Sequence, residues 1–98
     1  MPKGYLVGML DVRDAEAYAP YRDKVPAIIE QYGGRYLVRG GALEGLESDL
    51  PFSRMVVVEF PSTEAVQRFY HSEDYQQIIA HRTDNASGHV LIVEGIPD

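Results

Sequence analysis

Arg39 and Glu59 are the two side chains best suited to chemistry, a permanent cation and a carboxylate that one hairpin would bring together. Segments 35–47 and 54–60 read as consecutive strands joined near Asp49 and Pro51. Pairing them around that point sets Arg39 opposite Glu59 or within one residue of it. Glu59 alternates in phase with Met55 and Val57, so it is expected on a strand face that is otherwise apolar. A carboxylate there needs a cation beside it. The pair then serves either as a general base next to a ligand-orienting cation or as a structural ion pair, and the residue types fit both. Tyr70 adds a phenol that can position or protonate a ligand. Tyr18, Tyr21 and Tyr75 carry the same group but suit core packing equally well. Arg82 is in helical phase with Tyr75, Ile78 and Ile79, whereas His81 is offset. That makes Arg82 the better anion-binding candidate, its alternative being a solvated arginine at a helix end. Arg39, Glu59, Tyr70 and Arg82 are therefore the expected ligand-binding residues, with Glu59 the candidate base.

Other chemistries find little support. His71, His81 and His89 are too far apart to form a short-spaced ligand pair, so no metal is expected. No phosphate-cradling glycine loop, dinucleotide fingerprint or nucleophile elbow occurs, and no cofactor is expected. With no cysteine, thiolate chemistry and disulfides are excluded. Nine Lys and Arg stand against 15 Asp and Glu, a formal charge of −6, so nucleic acid is not an expected partner. Neither a leader pattern nor an apolar run of membrane-spanning length is visible, and a cytoplasmic protein with no membrane partner is expected. The 98 residues suffice for one domain, 1–98.

Positioning those residues takes six elements. Tyr5 to Asp11 reads as a strand, and Asp14 as the N-cap of a helix whose face is Tyr18, Tyr21, Val25, Ile28, Ile29 and Tyr32. Gly33 and Gly34 stop it, and Pro20 and Pro26 predict a bend or a restart at Pro20. The second strand, Arg35 to about Glu47, is expected to be distorted by a bulge at Gly40 and Gly41. Arg54 to Phe60, with three consecutive valines, reads as a central strand. Ser62 caps a second helix, Ser72 a further turn-rich piece, Thr83 to Gly88 reads as a loop, and His89 to Glu94 is the last strand.

The order β-α-β-β-α-β predicts an α+β, ferredoxin-like fold with both helices on one face of a four-stranded antiparallel sheet. The first, third and last strands are apolar on both alternating faces, which predicts a homodimer covering the face without helices. With this order, Glu16-Ala17-Tyr18, Tyr32-Gly33-Gly34-Arg35-Tyr36-Leu37-Val38-Arg39-Gly40-Gly41, Glu59-Phe60-Pro61 and Phe69-Tyr70-His71-Ser72 with Tyr75-Gln76 make the chain resemble one family. It is domain of unknown function 1330, of the dimeric α+β barrel superfamily. The resemblance implies a dimer with a small cavity in each subunit. The family has no established reaction, and superfamily relatives include small oxygenases, isomerases and haem enzymes. The expected function is binding of a compact anionic or polar-aromatic metabolite. The alternatives are a cofactor-independent oxygenase or isomerase, with Glu59 as base and Arg39 stabilising negative charge, and a purely structural or protein-interaction dimer.

Overall fold

A computed structural model describes residues 2–97. The chain forms β1 (Gly4–Val12), α1 (Ala15–Gln31), β2 (Arg35–Arg39), β3 (Arg54–Phe60), α2 (Thr63–Tyr70), α3 (Glu73–Thr83) and β4 (Ala86–Glu94). The strands make one antiparallel sheet in the order β2-β3-β1-β4, the ferredoxin-like arrangement.

Each helix opens on a side chain that accepts from an otherwise orphaned backbone N–H. Asp14 Oδ1 accepts from Ala17 at 3.1 Å, Ser62 Oγ from Ala65 at 3.1 Å and Ser72 Oγ from Tyr75 at 3.2 Å. The piece after Ser72 is thus a true α-helix. α1 stops where Gly33 turns to φ +86°, and Gly34 N–H returns to the Ile29 carbonyl at 2.9 Å. α1 runs unbroken for 17 residues through Pro20 and Pro26, so the helix does not restart at Pro20. Burial of Tyr18, Tyr21, Val25 and Ile29 holds it together, and the Arg22 carbonyl that Pro26 leaves without its helical donor accepts from Arg39 Nη2 at 2.9 Å.

β2 also departs from expectation. It ends at Arg39, well short of Glu47, because Gly40 takes φ +69° and turns the chain away after donating to the Met55 carbonyl at 2.9 Å. The bulge lies earlier, between Tyr36 and Val38, and Gly41 has open space around it. β4 begins at Ala86, three residues before the predicted start, because β1 continues to Val12 and offers Leu10, Asp11 and Val12 as partners.

The inner sheet face and the helices share one core. Val58, Phe60, Val66, Phe69 and Tyr75 are fully buried, each worth about 1.5–3 kcal/mol by transfer from water. Among the described residues, no helix lies on the outer face. Tyr5, Val7 and Met9 stand there beside Glu59, Val57 and Met55 on one flank and Val93, Leu91 and His89 on the other. Among the described residues no helix is long and apolar enough to cross a membrane.

Candidate functional site: an arginine-lined cavity beneath the first helix

Gly8 lies in the middle of the inner sheet face, in one cross-strand row with Arg39, Val56 and Val90. It offers no side chain for α1 to pack on, and a Cβ added there would meet nothing closer than Val56 Cβ at 3.9 Å. The space left between α1 and the sheet is a cavity of about 40 Å³. Arg22, Arg39, Arg54 and Arg82 line it together with Tyr18, Tyr21 and Tyr36. These are four of the chain's seven arginines, and among the described residues no carboxylate joins them on the wall.

A break in strand alternation turns Arg39 inward. Leu37 is the extra residue of the bulge: Tyr36 pairs with Val58, Val38 with Val57 and Arg39 with Val56. Tyr36 and Arg39, three apart, therefore share the inner face. The Arg39 guanidinium lies 4.9 Å from the centre of the Tyr36 ring and bridges to α1 through the Arg22 carbonyl, linking β2 to α1 at the cavity wall. Arg54 opens β3 and lies 5.9 Å from the Tyr18 ring centre. Arg82 reaches in from α3, only 8 % exposed, and lies 5.7 Å from the centre of the Tyr21 ring. The Nε atoms of both Arg54 and Arg82 are buried without a hydrogen-bond partner.

The phenols of Tyr21, Tyr75 and Tyr36 are held neutral. Tyr21 and Tyr75 hydroxyls are 2.7 Å apart in the core, and burial raises both phenols above their ordinary range. Burial raises Tyr36 as well. Desolvation works against the Arg82 charge, but the Tyr75 and Tyr21 oxygens outweigh it and the guanidinium stays protonated. The site is thus a set of cations with neutral hydroxyls, suited to holding an anion.

Of the expected residues, Arg39 and Arg82 come together on this wall. Glu59 does not join them. The register sets Arg35, not Arg39, opposite Glu59, and the two pair on the outer face with Arg35 Nε 3.0 Å from Glu59 Oε1. Tyr5 Oη donates to Glu59 Oε2 at 3.3 Å. Tyr70 lines a neighbouring groove of about 210 Å³ with Gln67, His71 and β4 residues Val90, Leu91 and Ile92. Its ring lies 5.4 Å from that of Tyr75. Arg54 and Tyr36 went unrecognised as site residues. Arg54 carried a usable signal, being in phase with Val56, Val58 and Phe60, all of which face the helices.

Fold and cavity define a small ferredoxin-like α+β protein whose basic groups converge inside an otherwise acidic chain. It belongs to the family Domain of unknown function (DUF1330), whose family model matches residues 3–96. The RPA0582 protein of unknown function from Rhodopseudomonas palustris is similar in structure, with a TM-score of 0.77 at 17% identity over 99% of this chain and 85% of that one. A putative antibiotic biosynthesis monooxygenase from Caulobacter crescentus CB15 is similar at TM-score 0.65 and 15% identity, over 95% and 87% of the two chains. Rv0793 from Mycobacterium tuberculosis follows at 0.53 and 16%, over 99% and 95%. At these identities the likeness is one of fold. Curated proteins gave no match by sequence.

Proposed function

We propose that this protein is a homodimer that binds a small anionic metabolite in the cavity of each subunit. The observation that carries the reading is Arg82, only 8 % exposed, with its Nε unpaired and, among the described residues, no carboxylate on the cavity wall. A buried charge without a counter-charge is costly, and an anionic ligand supplies what the fold leaves out. The dimer rests on the outer sheet face, where Val7, Met9, Met55, Val57 and Leu91 lie without a helix to cover them.

The oxygenase or isomerase reading needs a base at the ligand. Glu59 lies on the opposite sheet face, and burial holds the Tyr21 and Tyr36 phenols protonated, so these two donate hydrogen bonds and do not abstract protons. Binding is the reading this geometry favours. Native mass spectrometry of the purified protein, with small anions added in turn, tests it. At least one anion should be retained at one per chain, and Arg82→Gln should lose it. Retention unaffected by Arg82→Gln would overturn the assignment.

A further inference from the structure

Building on the anion-binding reading, we infer that the ligand is a monocarboxylate with a compact apolar body, its carboxylate held by Arg82 and Arg54. The cavity has two unlike ends. Tyr18 and Tyr21, on the first half of α1, lie against the guanidiniums of Arg54 and Arg82. Farther along the helix Val25 and Ile29 form the roof, and the Leu6–Val58 pair of the inner sheet face lies below. Ile29 marks the far end, since it packs with Phe60 around Gly34, at the other end of β3 from Arg54. A ligand filling this space is charged at one end and hydrocarbon at the other.

The unpaired atoms decide which anion fits. Nε lies on the side edge of a guanidinium, and Nε with one Nη makes the parallel pair of donors that matches the two oxygens of a carboxylate. Both Arg54 and Arg82 leave Nε without a partner and closed off from solvent, so a carboxylate meets that edge once the two side chains turn it toward the cavity. A carboxylate carries its oxygens on one side and its carbon substituent on the other, as the cavity does. A phosphate carries oxygens all round, and those turned toward the Leu6 and Val58 wall would be buried with nothing to bond. Among the described residues, no glycine-rich loop or helix N-terminus lines the cavity to meet them. A volume of about 40 Å³ holds roughly three water-sized groups before any side chain shifts, so the body is short.

Calorimetric titration with acetate, propionate, their amides and inorganic phosphate tests this inference. A carboxylate should bind at one per chain, and its amide about tenfold more weakly or worse. Arg82→Gln and Arg54→Gln should each weaken the carboxylate by a similar factor. Gly8→Leu, which fills the floor, should abolish binding with the melting temperature retained, and this variant carries the test if the arginine variants fail to fold. Phosphate binding that is tighter than either carboxylate and dependent on Arg82 would overturn the inference and leave the anion-binding reading standing. Equal binding of acid and amide, blocked by Gly8→Leu, would overturn the anion reading itself. No binding by any of these compounds would overturn both.

Discussion

Arg82 gives up its hydration on entering the core and receives in return a ring face and two neutral phenols, neither of which carries a full negative charge. Arg82→Met keeps most of the volume and removes the charge. The urea midpoint of the ligand-free protein should stay unchanged or rise, by up to about 4 kcal/mol in stability. A clear fall would mean that the guanidinium supports the fold by itself. The Tyr21 and Tyr75 hydroxyls make a second prediction. Burial raises both phenols in the folded state, while an unfolded phenol ionises near pH 10. Above about pH 10 the folded state therefore holds more protons than the unfolded one, so their contribution is complete below that pH and is lost as the pH rises. Denaturant midpoints should fall as the pH rises above about 10, and less steeply in Tyr21→Phe. Equal slopes would exclude the pair as the source. Arg82 was legible because helical phase alone ties it to Tyr75 and Ile78. The partner of Glu59 was not, since a shift of one position in strand pairing decides between Arg35 and Arg39.

α1 and β2 meet where each departs from regularity. Pro26 removes the N–H that would hold the Arg22 carbonyl within the helix, and Arg39, turned inward by the bulge at Leu37, donates to that carbonyl instead. Two local defects thus make one contact at the cavity wall. Pro26→Ala restores the helical donor and removes a residue that helices disfavour by about 3 kcal/mol relative to alanine. Its unfolding midpoint should rise, while the Arg39 guanidinium loses its anchor and its Nη resonances narrow in the NMR spectrum. An unaltered Arg39 signal would show that the carbonyl is shared between both donors. The caps at Asp14, Ser62 and Ser72 and the stop at Gly33 could all be read from residue type, because each depends on bonds within a few positions. The bulge could not. Nothing in Tyr36-Leu37-Val38 marks which residue is extra, and the answer comes from the partner strand.

At the scale of the whole molecule, the sheet has unlike faces. Two-sided apolar alternation in β1, β3 and β4 announced this from sequence, and the prediction of a dimer follows from the face without helices. Val7→Lys places a charge in the middle of that face. Sedimentation at micromolar concentration should show the wild type as a dimer and Val7→Lys as a folded monomer. A monomeric wild type would remove the dimer from the proposal. The side of the sheet that bears the cavity was less legible, because it is created by a missing side chain at Gly8, and a pattern of present side chains does not reveal an absent one. Arrangement on opposite faces also governs how two sites in a dimer would communicate. Val7 faces outward and Gly8, its neighbour, inward, so the associating surface and the ligand share only backbone. With no side chain common to both, occupancy of one subunit has little means of altering affinity in the other. The coupling free energy between association and occupancy should then be near zero, giving hyperbolic saturation curves with no cooperativity and a dimer dissociation constant indifferent to ligand.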